Sequence, residues 1–317
     1  MKKLSIIGEC MIELNGEPFG EMRQSYGGDT LNTATYLARV SPPEKIEVGY
    51  ISVLGTDPLS REMQKRWREE GIRTDGVLSD NARYPGLYLI QLDSRGERTF
   101  LYWRNQSAAR YLLRHPDYAK ACEYLSDSDM IYLSGISLAI LPDQDRYLLI
   151  NQLEKLAKQG VKIAFDSNYR PGLWESEQKT REIYTALYPL LSLALVTFDD
   201  EQALWRDKEV STTMQRLNAA GVKEIVVKQG KCGAFFHDFS GQQGHITTEP
   251  VSNPVDTTSA GDAFNAGFLN GYLQNKSLSQ CCRQGNRLAA EVIRHKGAII
   301  DKRATQHFLA EFNCANQ

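Results

Sequence analysis

The chain has 317 residues, 42% hydrophobic and 24% charged, with 24 glycines and a formal net charge of −2 from 37 basic and 39 acidic side chains. These values exclude a disordered chain, which would carry fewer apolar residues and more net charge, and they exclude a collagen-like or low-complexity one. Balanced charge also argues against a nucleic-acid binder, which carries a basic excess or stripe, and the length suffices for one large domain or two ordinary ones.

The first residues, MKKLSIIGECMIEL, set two lysines before an apolar run. Glu9 and Glu13 interrupt that run too early for a signal peptide. No other run reaches the ~20 apolar residues a bilayer requires, so no membrane partner is expected. Residues 4–7 predict a strand, and residues 28–40 a helix with Leu31, Ala34, Thr35 and Ala38 on one face. Residues 48–54 predict a strand and 58–70 a charged amphipathic helix with Pro58 in its first turn. Residues 84–103 contain two alternating β runs around the turn SRGE at 94–97, a hairpin pattern, and residues 10–14 add a strand beside it. On pattern alone this antiparallel patch is either a lid or an edge decoration. Strands at 130–133, 161–165, 193–197 and 224–227 then alternate with helices, among them 143–159, which Gly160 ends. The last third is helical, at 260–274, 279–294 and 303–312. This order predicts an α/β fold whose mostly parallel sheet is covered on both faces. We expect a single domain over residues 1–317, with a lid formed by about 10–20 and 84–106. The six cysteines form no C-x-x-C pair, which argues against a zinc ribbon or a thioredoxin-like site. Adjacent Cys281 and Cys282 are expected as two thiols on a helix surface, in a reducing, cytoplasmic protein.

The usual phosphate-binding patterns are missing. No G-x-G-x-x-G follows the first strand, and Gly230–Lys231 fails as a P-loop because Ile225 and Cys232 occupy its other fixed positions. The informative segment is DTTSAGDAF at 256–264, which opens a helix. Small residues Ser259, Ala260 and Gly261 allow a ligand close to the backbone. First-turn N–H groups lack intrahelical partners and lie at the positive end of the helix dipole, which makes an anion-binding cup. Asp262, inside that turn, can accept the proton of a hydroxyl that attacks phosphorus.

DTTSAGDAF resembles the second signature of the ribokinase-like (phosphofructokinase-B type) carbohydrate kinases. The first signature, a Gly-Gly pair opening a helix with an asparagine four residues on, is matched by Gly27, Gly28 and Asn32. The segment VVKQGKCGAFF at 226–236 resembles the family's nucleotide-side strand-turn-strand. The resemblance implies a three-layer α/β/α sandwich with a small antiparallel β lid, use of ATP with Mg2+, and frequent pairing of lids between subunits, so a homo-oligomer such as a dimer. It implies Asp262 as catalytic base, with Ala260 and Gly261 supplying the anion cup. The segments IGECMIEL, YGGDTLN, FLYWRN and FDSNYRPGLW are most similar to the family's members for keto-deoxy sugar acids. That similarity implies transfer to the 6-hydroxyl of 2-dehydro-3-deoxy-D-gluconate. It places Gly28, Asp29, Thr30, Leu31, Asn32, Tyr88, Tyr102, Trp103, Arg104 and Arg170 at the sugar, with Asp262. On the nucleotide side it places Asn168, Tyr169 and Arg170, then Lys228, Gln229, Gly230, Lys231, Cys232 and Gly233, and finally Thr258 to Gly261. Asn286 is either an adenine-side residue or an exposed helix asparagine.

Arginines suit an acidic sugar because a guanidinium forms forked, charge-assisted pairs with a carboxylate. A neutral sugar has no need of the Arg104 and Arg170 pair, which ranks fructokinase or ribokinase activity second. A non-catalytic sugar sensor would lack the base or the glycine cup. One position departs from the family: its N-x-x-E motif, which helps to organise magnesium through water, reads Phe198-Asp199-Asp200-Glu201 here. Glu201 remains as a metal-side residue, with Asp199 or Asp200 to compensate for Phe198. Alternatively, these acids simply open a helix.

Overall fold

A computed structural model of the protein describes residues 1–92 and 98–314, so the expected turn at 94–97 lies outside the described residues. Strand β1 (Lys2–Ile7) leads to β2 (Met11–Gly16), β3 (Met22–Gly27), helix α1 (Asp29–Val40) and β4 (Ile46–Gly55). Helix α2 (Pro58–Glu69) starts where the Asp57 carboxylate accepts the Ser60 N–H. Short β5 (Ile72–Arg73) and β6 (Val77–Asp80) precede β7 (Leu87–Leu92) and β8 (Arg98–Trp103). Next come α3 (Tyr118–Ser126), β9 (Met130–Ser134), α4 (Gly135–Ala139), α5 (Asp143–Lys158), β10 (Lys162–Asp166) and α6 (Glu177–Leu187). The chain continues through β11 (Leu193–Thr197), α7 (Phe198–Trp205), α8 (Val210–Ala219) and β12 (Glu224–Lys228). Strands β13 (Ala234–His237) and β14 (Gln243–Ile246) come before helices α9 (Ala260–Leu273), α10 (Leu278–Val292) and α11 (Gln306–Asn313).

The large sheet has the order β14-β13-β12-β11-β10-β9-β1-β4-β5, with β6 also paired to β4. From β12 across to β4 every pair is parallel; β13 alone is reversed, so its pairings with β12 and β14 are antiparallel. Neighbouring residues on a strand face opposite sides, so each buried strand feeds two cores. Ile163 and Phe165 enter the core shared with α3 to α8, whereas Ala164 enters the one shared with α1, α2, α9, α10 and α11. That is why these strands read as unbroken apolar runs. Among the described residues no helix is long and apolar enough to cross a membrane.

The expectation for Cys281 and Cys282 is corrected. Both thiols are fully buried, because α10 lies flat against α9 and sinks an unusually wide face. The approach is tight enough that a Cβ on Gly267 of α9 would lie 2.6 Å from the Gln284 carbonyl oxygen of α10. Gly267→Ala is therefore expected to destabilise the protein by about 1–3 kcal/mol, because backbone must move to admit one methyl group. Calorimetry should register a melting temperature lowered by several degrees.

A second sheet of four strands, β3-β2-β7-β8, stands apart from the first. Its β7–β8 pair is antiparallel, with Tyr88 opposite Tyr102, while β2 runs parallel to β7. Strand β3 was not anticipated. Its sequence MRQSYG has no apolar alternation, and it is held by pairing with β2.

Candidate active site

Strand β10 ends at Asp166, and β11 and β12 end side by side at the paired residues Thr197 and Lys228. These carboxyl ends, the small sheet and helices α9 and α10 enclose a cleft of about 1170 Å³. Ligands of open parallel sheets bind at this edge, where strand ends and helix N-termini converge.

At the mouth of α9, Ser259 adopts a left-handed conformation with φ 68°. This is uncommon for a residue with a side chain and costs about 1 kcal/mol or more. The Ser259 hydroxyl donates to Asp262 Oδ2 at 2.8 Å, and Asn32 Nδ2 donates to the same oxygen at 2.9 Å. The Ala260 N–H already donates to the Thr257 carbonyl at 3.3 Å, so the expected cup is narrower than the motif suggests. Among the described residues no backbone carbonyl accepts from Gly261 or Asp262, and both line the cleft. Burial and the neighbouring Asp29 carboxylate push the Asp262 carboxyl up to about 7, against the two hydrogen bonds it accepts.

On the small-sheet side, Gly28, Asp29 and Asn32 line the cleft. A Cβ on Gly28 would lie 2.2 Å from the Glu9 carbonyl, so only glycine lets the β1–β2 loop pass this closely. Thr30 and Leu31 are not at the cleft. They are fully buried, with the Thr30 hydroxyl 2.9 Å from the Tyr50 hydroxyl and Leu31 in the core. Tyr88 and Tyr102 line the cleft with ring centroids 5.9 Å apart, and the Tyr88 hydroxyl donates to Glu13. Trp103, next on β8, belongs to the opposite face and is 58% exposed. Arg104 is buried in the cleft wall, donating from Nη2 to Glu9, whose role the sequence did not reveal. Arg170 lines the cleft with a half-exposed side chain, 3.7 Å from Asp200.

On the opposite side, Asn168 lines the cleft and its amide donates to Asp29 Oδ2 at 2.6 Å. Tyr169 does not line it; that side chain is buried, and its N–H donates to Asp200 at 3.1 Å. Lys228, Gly230, Lys231 and Gly233 line the cleft, as do Thr258 and Ser259. Gln229 and Cys232 do not: the Gln229 N–H bonds the Gly233 carbonyl, and the exposed Cys232 carbonyl meets His245 at 2.6 Å. Asn286 is at the cleft but is not an exposed asparagine. It is buried, and its amide donates to the Ile246 carbonyl at 3.0 Å, fastening the segment after β14 to α10.

Glu201 is placed away from the cleft. It is fully buried, and Oε2 accepts from Arg216 at 2.6 Å. Burial pushes it up to about 7 although Arg216 opposes the shift. Phe198 packs into the core, and Asp199 is exposed. Asp200 is the acid of this segment that lines the cleft, pushed up to about 6 by burial and by Asp166. Among the described residues no group of three or more His, Cys, Asp or Glu could hold a metal ion by itself.

The family model for pfkB family carbohydrate kinases matches residues 1–305. This chain belongs to that family. Among its relatives, the 2-dehydro-3-deoxygluconokinase of Haemophilus influenzae is 62% identical over 314 residues, covering 99% of this chain and 100% of that protein. The 2-dehydro-3-deoxygluconokinase of Dickeya dadantii is 42% identical over 305 residues, covering 94% and 97% of the two chains. In fold, this pfkB family member is similar to the fructokinase with bound ATP from Xylella fastidiosa, with TM-score 0.80, 19% identity and 98% coverage of each chain. A mostly parallel sheet with a separate small antiparallel-edged one is thus the ribokinase-like architecture expected from the two signatures.

Proposed function

We propose that this chain transfers the γ-phosphoryl group of ATP to the 6-hydroxyl of 2-dehydro-3-deoxy-D-gluconate, giving 2-dehydro-3-deoxy-6-phospho-D-gluconate. The carrying observation is Asp262, a buried carboxylate in the cleft beside the unbonded amides at 261–262. The near full-length relative at 62% identity supports the choice of sugar acid.

Arg104 and Arg170 hold the carboxylate end of the sugar, and the small sheet shields it from water, which would compete as acceptor. The nucleotide lies between the β12–β13 turn and α10, with its terminal phosphate toward Gly261. Asp262 takes the proton of the 6-hydroxyl as the oxygen attacks, and the free amides stabilise charge on the equatorial oxygens. The residues fit a magnesium ion brought by the nucleotide. Asp200 and Asp166 both line the cleft, close enough that Asp166 helps to raise Asp200, and magnesium takes one or two carboxylates plus phosphates. When bound, the ion neutralises charge on the phosphates. Glu201, held inside by Arg216, would act on it only at a distance, through water. Exposed Leu101 and Trp103, on the face of β8 opposite Tyr102, give a second copy of the chain an apolar surface to cover. Six free cysteines fit a reducing cytoplasm.

The test is ATP consumption with ketodeoxygluconate, fructose, ribose and no sugar. ADP release that depends on ketodeoxygluconate is the expected result. A faster rate with fructose or ribose would replace the substrate, and no sugar-dependent rate with any of them would leave a sugar sensor.

A further inference from the structure

Beneath the mouth of α9 lies a charge that neither signature contains. Lys228, the last residue of β12, is buried, and its Nζ donates to Asp166 Oδ2 at 3.0 Å and to Asn265 Oδ1 at 3.1 Å. Asn265 is fixed in turn, donating from Nδ2 to Asp166 Oδ2 at 2.7 Å and to the Tyr132 hydroxyl at 2.9 Å. An ammonium group has three N–H donors. Two are used, and among the described residues the third meets no acceptor, although Lys228 lines the cleft. A Cβ on Gly261 would lie 3.7 Å from Nζ, so the ammonium lies beside the residue whose amide is left unbonded at the helix mouth.

A lysine held only to balance Asp166 could lie anywhere along that carboxylate. This one is pinned from two sides and keeps a spare donor on a side chain that lines the cleft. Fixed donors in a water-poor site stabilise developing charge far better than mobile ones, because they need not reorganise as the reaction proceeds. We propose that Lys228 is a catalytic residue, whose third N–H contacts the phosphoryl group in transit together with the amides at 261–262. The proposal rests on the kinase reading above. In the step, a bond forms between the 6-hydroxyl oxygen and the γ-phosphorus, and the bond to the β–γ bridging oxygen breaks. The hydroxyl proton goes to Asp262, and ADP leaves with the electron pair. Lys228 donates a hydrogen bond throughout and transfers no proton.

Lys228→Met keeps the length of the side chain and removes the charge. Its kcat should fall at least 100-fold, with the KM for the sugar acid within threefold of wild type. Binding of ADP with fluoroaluminate, which imitates the phosphoryl group in transit, should weaken at least 100-fold, while binding of ADP alone stays within threefold. A purely structural lysine would shift both binding constants together, and that result, or a kcat loss below tenfold, overturns the proposal. Should Lys228→Met unfold through the unbalanced Asp166, Lys228→Met/Asp166→Asn is compared with Asp166→Asn under the same thresholds. If wild-type protein gives no sugar-dependent ADP, the kinase reading fails on its own. Lys228 is then read in slow ATP hydrolysis by water, which Lys228→Met should lower by the same factor.

Discussion

Replacing Asp262 by asparagine is expected to lower kcat by at least ~10²-fold, with ATP binding retained. Asparagine keeps the shape of the side chain and can still accept from Asn32 and Ser259, so the helix mouth should hold its form. What disappears is the ability to take a proton. Initial rates and an ATP-binding isotherm on the same preparation check both halves, and near-wild-type turnover would remove the base assignment. The pH dependence has a definite sign. Burial holds the free-enzyme carboxyl up at about 7, and only its ionised form can act as a base. Therefore kcat/KM should rise with pH through that region, by about tenfold per unit below it. Stability should move the other way. The native state binds this proton more tightly than the unfolded chain, so Asp262 favours folding below the ordinary carboxylate range and loses that benefit as pH climbs toward 7. Asp262→Asn should then melt at or above the wild-type temperature at pH 8.

The second large effect concerns Arg104. Arg104→Ala should raise the KM for the sugar acid roughly 10- to 100-fold, the worth of a charged hydrogen bond of about 1.5–3 kcal/mol. The KM for ATP should change by no more than about threefold, because the lost contact is on the sugar side alone. The variant also leaves the Glu9 carboxylate, 1% exposed, without its cation. Breaking a buried pair in this way costs about 3–5 kcal/mol. A second substitution, Glu9→Gln, should restore the melting temperature and leave the KM high. If both recover, Arg104 is a structural partner of Glu9 and the sugar's anchor lies elsewhere.

Much of this arrangement was legible in the chain. Parallel strands buried on both faces are continuous apolar runs, and 193–197 was read to the residue. The glycine pair before α1 and the small residues before Asp262 mark places where backbone meets ligand. Contiguity misled where periodicity rules. Thr30 and Leu31 follow Asp29 in sequence, but a helix turns about 100° per residue and carries both into the core. Trp103 follows Tyr102, but alternation on a strand sends it to the other face. Glu201 matched a motif position, yet a partner remote in sequence, Arg216, holds it inside. Glu9, Asn265 and Tyr132 gave no signal, since their meaning comes from side chains brought together by the fold. Strand β3 was hidden because hydrogen-bond partners, not apolar residues, keep it in place.

The distribution of sulfur in the molecule makes it a clock for its own opening. Of the six thiols, Cys10, Cys281 and Cys282 are sealed in the core, Cys122 is half-buried, and Cys232 and Cys314 face solvent. An alkylating reagent should therefore modify the two exposed thiols promptly, the half-buried Cys122 more slowly, and the three core thiols only as fast as the layer holding α9 and α10 separates. The slow phase, followed by mass spectrometry, would time that separation with no dye, tag or substitution.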